Sequence, residues 1–498
     1  MKLKPLFILI TVLAPFFGAC EKDEDPDSST DEEFTNKWTY NWMKRVYFWN
    51  EQLPKSPDHM QSPDKFFYDI LYKYNSVDGD RFSWIEKDQS KQTKSLFADT
   101  GLGFDYIPQS YFTAPGSPNS VLGFFVISVD KGSDAEKKGV ERGQVIHEVN
   151  KTPVTYDNYE TVLKGAASYT LGIYNKAGQK QTLAAFSPSA PQPAPVFLSK
   201  VITAKNGVKV GYLVYNAFER NSDGVDKNYE YDIQLIEKIR ELNSLGVTEF
   251  VLDLRYNLGG YLTSAMDLAS ALVPNRNTRN IFTKETYNKY YTDSLTARYG
   301  PDAFNEYFLD KVYGTQVDIP RLNLNRLYVI ATGYTASASE LLMHGLRPYM
   351  PVWHIGETTV GKDKGSQTIK SDDKRILWQL QPLISKFTDA DGKGDYINGL
   401  SPDYEVSEWE EGYEMVDAFY IDEKGNKIEN RLPLLSVWKG GFSELGDESE
   451  PLLAEALALI TGIPRKTTKS ATDGNWAPQK VPFVKFDTKK RAVTIIDK

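Results

Sequence analysis

Thr335-Ala336-Ser337-Ala338-Ser339-Glu340 is the stretch that decides how this chain folds around a possible reactive group. It follows an apolar run at residues 327–331, which predicts a strand, and precedes residues 341–346, which predict a helix. A serine at such a turn lies at a helix N-terminus, where unpaired backbone N–H groups favour developing negative charge. The stretch therefore predicts an α/β fold with Ser337 as a candidate nucleophile.

The candidate base for this serine is Lys362, which lies 362 − 337 = 25 residues after Ser337. A serine hydroxyl needs a base to take its proton. An amine serves if burial lowers its pKa from about 10.4 towards about 7. Lys364 is the competing base and Ser339 the competing nucleophile. Because two helical steps rotate Ser339 about 200° from Ser337, only one of the two serines would face a pocket.

A histidine base is the alternative, and the chain has four histidines: His59, His147, His344 and His354. None occurs in a recognisable triad motif. On one helix, His344 would lie about two turns from Ser337. His354 lies within an apolar run, which predicts a core histidine.

A second turn, Asp253-Leu254-Arg255-Tyr256-Asn257-Leu258-Gly259-Gly260, ends an apolar strand in a glycine pair. Alone, this pair indicates only a tight turn. Beside the serine and lysine segments it predicts an oxyanion hole, because a tetrahedral intermediate needs two preorganised N–H donors. Ala338 would supply one donor and Gly259 or Gly260 the other. Asp253 and Arg255 are predicted to hold the strand end.

Together with residues 356–362, these segments resemble the core of the C-terminal processing (tail-specific) serine peptidases. The resemblance implies a catalytic domain at residues 197–465, with a mixed sheet of the tail-specific protease, crotonase-like kind. It favours Ser337 and Lys362, and leaves Lys364 solvated. In many family members a glutamine after the lysine hydrogen-bonds it. Gln367 is the counterpart here, offset by five residues instead of four.

The catalytic region alternates between predicted strands and helices, which argues for α/β packing around a partly parallel sheet. The predicted strands are residues 210–214, 250–254, 327–331 and 352–355, and the helices are residues 233–242, 262–273 and 341–346. A Tyr-rich insertion at residues 275–325 interrupts this alternation, and no role is assigned to it.

Residues 98–187 resemble a β-rich PDZ domain. The resemblance rests on the loop Gly101-Leu102-Gly103-Phe104, a strand at 126–129, a short helix at 134–140 and a turn and strand at 143–150. It implies that the loop binds a peptide's terminal carboxylate while the peptide adds as a strand. Alternatively, the domain only packs against the catalytic domain. A Pro-rich linker at residues 188–196 follows.

The N-terminus predicts a lipid anchor. Lys2 and Lys4 precede an apolar stretch at residues 5–17, and Gly18-Ala19-Cys20 resembles a bacterial lipobox, with Phe17 in place of the usual leucine. Cys20 is the one cysteine of the chain. An ordinary signal peptide and an uncleaved anchor are the alternatives. If the protein is a lipoprotein, we expect it to be anchored in the cell envelope of a Gram-negative bacterium, at the periplasmic or surface face of the outer membrane.

The remaining ends of the chain flank these units. The acidic residues 21–33 predict a disordered tether, either a plain linker or a surface-export signal. Residues 34–97 predict an aromatic-rich helical region, whose Asp80-Arg81-Phe82-Ser83-Trp84-Ile85 resembles the stretch before the PDZ module in the peptidase family. Residues 466–498 form a basic tail without clear periodicity.

Composition narrows the function. The 498 residues suggest about three domains. The net charge of −9 argues against nucleic acid as a partner. No metal or cofactor motif appears, since the acidic loop 389–395 lacks the ligands of a calcium site. The resemblances to the tail-specific peptidases and to a lipobox imply an exported serine endopeptidase that recognises C-terminal tails of proteins and forms an acyl-enzyme. The alternative is an inactive tail- or glycan-binding lipoprotein on the same scaffold.

Overall fold

The structure is a computed structural model that describes residues 30–88, 101–117, 119–189, 195–221, 227–421 and 426–465, with the backbone of residues 479–480 and 493–495. Cys20 and most of the predicted tether lie outside the described residues. The first helix begins at Asp31, so the last three tether residues are helical. The Thr30 side chain accepts from the Glu33 N–H at 3.2 Å, and the acidic first turn suits a helix N-terminus.

The N-terminal unit is helical, as the aromatic spacing predicts, and it ends in one strand. Its elements are α1 (Asp31–Val46), a 3₁₀ turn (Asn50–Gln52), α2 (Pro63–Asp69) and β1 (Trp84–Lys87). Tyr47, Phe66 and Phe67 are buried in the same core as the central helices of the chain. This unit is therefore packed against the catalytic region and is not a separate domain with its own core.

The second unit is an antiparallel sheet with strand order β2-β3-β4-β6-β7 and β5 beside β4. Its elements are β2 (Phe104–Tyr111), β3 (Val121–Val129), α3 (Asp134–Lys137), β4 (Val145–Val149), β5 (Thr152–Pro153), β6 (Leu171–Tyr174) and β7 (Lys180–Thr182). Successive residues of β3 face opposite sides. Phe124 enters the unit's own core, whereas Phe125 contacts Tyr413 with ring centroids 5.3 Å apart.

The third unit is built on a six-stranded sheet with order β19-β15-β14-β10-β9-β8, in which only β8 is antiparallel to its neighbour. The elements of this layer are β8 (Val196–Thr203), β9 (Lys209–Tyr215), α4 (Glu230–Ser244), β10 (Glu249–Asp253), β14 (Leu327–Ala331), α7 (Ala338–Leu346), β15 (Val352–Gly356), β19 (Tyr404–Glu405) and α9 (Pro451–Thr461). Helices α4 and α7 cover one face and α9 covers the other. The predicted strands and helices of this region are confirmed.

A second six-stranded sheet lies beside it, with order β11-β23-β16-β18-β12-β13. Its members and the helices between them are β11 (Gly259–Tyr261), α5 (Leu262–Leu272), β12 (Ile281–Tyr287), α6 (Lys289–Tyr299), β13 (Asn305–Tyr307), β16 (Lys364–Ser366), β18 (Leu383–Thr388) and β23 (Val493–Ile495). The Tyr-rich insertion thus contributes β12 and β13 to this sheet. Strand β17 (Trp378–Gln381) pairs with β1.

A long hairpin, which the sequence did not predict, joins the second and third units. It consists of β20 (Tyr413–Ile421) and β21 (Lys427–Trp438), with α8 (Glu408–Gly412) before it and β22 (Gln479–Lys480) beside β20. Among the described residues, the helices are too short or too polar to cross a membrane.

Candidate active site

Ser337 lies between β14 and α7, on a turn that is hydrogen-bonded to the segment after β10. The Thr335 hydroxyl donates to Leu254 O at 2.7 Å, and the Ala336 N–H donates to Asn257 O at 3.0 Å. Ser337 has φ 60° and ψ −114°, a conformation that L-residues rarely adopt. Such a backbone costs about 1–3 kcal/mol and is typical of functional sites.

Glu340 joins the serine segment to the lysine segment. One carboxylate oxygen accepts from the N–H groups of Ser337 at 2.7 Å and Lys362 at 2.8 Å. The other accepts from Gly361 N–H at 2.7 Å and from the Thr359 hydroxyl. Burial raises the pKa of the Glu340 carboxyl, and these hydrogen bonds oppose the increase. Ser337 and Glu340 also match the capping-box pattern of a helix N-terminus, but no local pattern indicates the link to the lysine segment, because Thr359, Gly361 and Lys362 lie 19 to 22 residues away.

Lys362 is withdrawn from water, with 1% of its surface exposed. Its Nζ lies 5.5 Å from the centroid of the Phe82 ring. The neighbouring Arg81 donates to Gly361 O at 2.8 Å and to Ile397 O at 2.7 Å, which fixes the backbone beside the lysine. The family-like segment 80–85 of the N-terminal unit therefore forms one wall of the site.

The two glycines of the predicted oxyanion hole differ. The Gly259 N–H donates to Asn257 Oδ1 at 2.9 Å, so this N–H already has an acceptor and the prediction for Gly259 is corrected. Phe218 pairs with one edge of β11, where Tyr261 N–H donates to Phe218 O at 2.7 Å. Because backbone groups alternate along a strand, the Gly260 N–H points to the other edge.

Gly260 cannot be replaced by a larger residue at this turn. Its φ is +142°, and a Cβ there would lie 2.1 Å from Phe218 O. The second predicted donor, Ala338, is the first residue of α7, so its N–H is among those without an intrahelical acceptor. Gly260 and Ala338 therefore remain the pair of candidate oxyanion donors.

The rival residues have structural contacts. The Ser339 hydroxyl donates to Asn257 O at 3.0 Å. Lys364 pairs with Asp363 at 2.7 Å, and its Nζ lies 5.4 Å from the Trp49 ring centroid. Its side chain is only 12% exposed, so the prediction of a solvated Lys364 is wrong. The ion pair and the aromatic surface together explain how it is held there.

The histidines nearest in sequence to the site also contact the backbone. The His344 ring lies 2.9 Å from Lys393 O, and the His354 ring lies 3.2 Å from Ala331 O. His354 is fully buried in β15, as expected of a core histidine.

Gln367 lies directly after β16, and its N–H donates to Pro382 O at 3.4 Å. A hydrogen bond from its side chain to Lys362 stays a prediction. A fully buried glutamine, Gln381 on β17, donates to Ser366 Oγ at 3.0 Å and was missed. No local pattern marks it, because the pairing of β16 with β18, which begins two residues after Gln381, brings it near Ser366.

Arg255 holds the strand end, as predicted for it and Asp253. Its guanidinium contacts Asp253 at 2.7 Å, Glu450 at 2.8 Å and Glu408 at 2.9 Å. Glu408 also pairs with Arg142 of the second unit at 2.6 Å. These side chains are buried, and they connect the second unit to the strand that leads to the glycine pair.

The predicted peptide-binding loop is a tight turn. Gly101 and Gly103 have positive φ, and a Cβ on Gly103 would lie 2.6 Å from Ser133 Cβ. Leu102 and Phe104 are buried in the unit's own core. Peptide binding by this loop stays a prediction and would have to use its backbone groups.

Two observations concern other ligands. Within the part of the chain that the structure describes, no group of three His, Cys, Asp or Glu side chains could hold a metal ion. A surface cavity of about 1000 Å³, lined by residues such as His344, Trp353 and Asp403, includes neither Ser337 nor Lys362.

Comparison with known proteins identifies the class. Residues 209–406 match the model of peptidase family S41, and residues 35–84 match the peptidase S41 N-terminal domain. The first match contains the strands, the serine, the lysine and the glycine pair described above. Two parts of the chain are therefore similar to peptidase family S41, a family of serine peptidases.

Individual relatives show the same similarity. A solved structure assigned to an S41 protease of Bacteroides fragilis NCTC 9343 is 25% identical, with a TM-score of 0.65, over 89% of this chain and 100% of that chain. Carboxyl-terminal-processing peptidase 2, chloroplastic, of Arabidopsis thaliana is 25% identical over 300 residues, 59% of this chain and 51% of that protein. The carboxyl-terminal-processing protease of Picosynechococcus sp. is 25% identical over 235 residues, 46% and 49% of the two proteins. The chain spans about half the length of these curated relatives.

Proposed function

We propose that this protein is a serine endopeptidase with a Ser337–Lys362 dyad. The observation that carries the proposal is the Glu340 carboxylate, one oxygen of which accepts from the backbone N–H of both residues. This contact ties a strained serine at a helix N-terminus to a buried lysine. The S41 match supports the same assignment.

The proposed reaction passes through an acyl-enzyme. Ser337 Oγ attacks the scissile carbonyl while the neutral Lys362 amine takes its proton. The N–H groups of Ala338 and Gly260 stabilise the resulting oxyanion. Lys362 then gives the proton to the leaving amine, and water hydrolyses the ester by the same steps. Gln367 is proposed to orient the lysine.

The proposed substrates are proteins or peptides with free C-terminal tails. The names of the two carboxyl-terminal-processing relatives support this specificity. The PDZ-like unit, through the loop Gly101-Leu102-Gly103-Phe104, would hold the tail. We further propose export and lipidation at Cys20, which would place the enzyme on the outer membrane of a Gram-negative cell envelope.

The test is digestion of casein by a soluble form that begins at Thr30, since the first helix starts at Asp31. Ser337→Ala and Lys362→Ala are expected to abolish cleavage. Lys370→Ala is the control, because Lys370 is exposed and pairs only with Asp88 among its recorded contacts. Full proteolysis by Lys362→Ala would refute the dyad. Tail-peptide binding without cleavage by any form would favour the non-catalytic alternative.

A further inference from the structure

A strand from the tail of the chain lies in the second sheet, between the two segments that carry the chemistry. Strand β23 is parallel to β11, with Gly259 opposite Val493, Gly260 opposite Thr494 and Tyr261 opposite Ile495. On its other side it is parallel to β16, where Ser366 is opposite Ile495. It is therefore a central strand and not an edge strand of this sheet.

Both neighbours of β23 belong to the candidate active site. Strand β11 contains Gly260, and β16 begins two residues after Lys362. Since Phe218 pairs with one edge of β11, the Gly260 N–H is directed to the edge where β23 lies. Helix α7, which begins directly after Ser337, contacts β11 as well. The tail strand thus lies against the proposed oxyanion donor.

The nucleophile and the base are closed off in this arrangement, with Ser337 0% and Lys362 1% exposed. Without β23, the facing edges of β11 and β16 would each present unpaired N–H and C=O groups. Such edges bind an extended chain by completing the sheet. The tail is suited to this, since Val493-Thr494-Ile495-Ile496 is a run of β-branched residues.

We propose that the groove between β11 and β16 binds an extended polypeptide parallel to both strands, and that the segment around Val493–Ile495 of this chain occupies it as an autoinhibitor. The inference rests on the proposed peptidase function. It adds the backbone subsite and the occupant that keeps the enzyme latent. A substrate would have to displace the tail before it reached Ser337.

The expected strength of the autoinhibition follows from the covalent link between the tail segment and the rest of the chain. A segment that is covalently linked to its site reaches an effective concentration on the order of 1 mM. If the detached segment binds with a dissociation constant of about 0.1 mM, about one groove in eleven is open at any time. Release of the tail should therefore raise kcat/KM for a short peptide by roughly tenfold.

The first experiment compares Thr494→Pro with the parent in the chain that begins at Thr30. Proline removes the N–H of a central strand residue, whereas Thr494→Val keeps the strand and is the matched control. We expect Thr494→Pro to gain about tenfold in kcat/KM and Thr494→Val to equal the parent. A synthetic peptide of residues 488–498 should inhibit Thr494→Pro competitively, and the same peptide with proline at 494 should not.

The second experiment measures binding of this peptide, labelled with fluorescein, to the Ser337→Ala/Thr494→Pro protein by anisotropy. Binding that proline at 494 abolishes would support the groove even if no form cleaved casein, in which case only the peptidase assignment would fail. Equal cleavage by all three forms, without binding or inhibition by the peptide, would overturn the autoinhibitor and leave the peptidase intact. If the parent cleaved off its own tail and Ser337→Ala did not, the autoinhibitor would also be overturned, because the tail segment would then be a substrate.

Discussion

Replacement of Glu340 by glutamine tests how the serine and lysine segments are held together. The carboxylate accepts four hydrogen bonds, three from the backbone N–H groups of Ser337, Gly361 and Lys362 and one from the Thr359 hydroxyl. Glutamine has nearly the same shape but only one acceptor oxygen. Its NH₂ group must therefore face two of the four donors.

The favoured orientation of the glutamine is determined by Thr359. Its hydroxyl could turn to accept from the new NH₂ group, whereas a backbone N–H could not. The amide oxygen is therefore expected to face Ser337 and Lys362, leaving the Gly361 N–H without an acceptor. One buried, unsatisfied donor costs about 1–3 kcal/mol, and we expect a loss of stability in that range.

Activity should fall by more than stability. The Gly361 N–H lies directly before the proposed base, so repulsion from the NH₂ group would displace Lys362. A shift of about 1 Å in a catalytic group can cost about 10²-fold in rate, and we expect that decrease in kcat with little change in KM. Urea unfolding and steady-state cleavage of a fluorogenic peptide measure the two effects.

The matched control is Glu357→Gln. Glu357 is a neighbouring carboxylate whose pKa is likewise raised by burial, and it accepts from the Ser407 hydroxyl at 2.6 Å. It does not join the serine and lysine segments in any recorded contact. If Glu340→Gln kept full kcat, or if both variants lost it equally, the argument that Glu340 positions the dyad would be refuted.

Three further predictions concern strain, pH and the joint between units. Both Ser337→Gly and Ser337→Ala should be inactive, but Ser337→Gly should be about 1 kcal/mol more stable in urea unfolding. The reason is that only glycine adopts the positive φ of residue 337 without strain. Equal urea midpoints for the two variants would count against strain at this residue. Burial raises the pKa of the Asp232 carboxyl to about 7, so as the pH rises this carboxyl ionises in the unfolded chain before it ionises in the folded protein. The parent should therefore lose up to about 4 kcal/mol of stability between about pH 4 and pH 7, and Asp232→Asn should lack that loss. Parallel curves of stability against pH for the two proteins would contradict this prediction. Arg142→Met removes one buried partner of Glu408, which should lower the free energy of unfolding by about 3–5 kcal/mol. In calorimetry, the second and third units should then unfold in two separate transitions. A single unchanged transition would show that the units are joined in another way.

Much of the catalytic layer could be predicted from the sequence, because its signals are local. The apolar run at residues 327–331 coincides with β14, and Pro274 follows the end of α5 closely. The serine turn and the glycine pair are likewise written in a few adjacent residues. Even the structural role of Arg255 could be anticipated, since Asp253 lies two residues before it.

Other features have no local signal. The packing of the β20–β21 hairpin against the second unit was not predicted, because it depends on long-range contacts such as that between Tyr413 and Phe125. The solvation predicted for Lys364 was wrong because Trp49 comes from a distant part of the chain.

The sequence by itself determined the class of fold and the pair of residues, Ser337 and Lys362, on which the proposed chemistry rests. Only the tertiary structure decided how they are held, since a buried carboxylate at Glu340 joins backbone groups 3 and 22 residues away from it. It also decided that the Gly259 N–H donates to Asn257 and that β23 lies between β11 and β16. Sheet pairing brings residues 259–261, 366 and 493–495 together, and hydrogen bonds between such distant segments leave no pattern in any one of them.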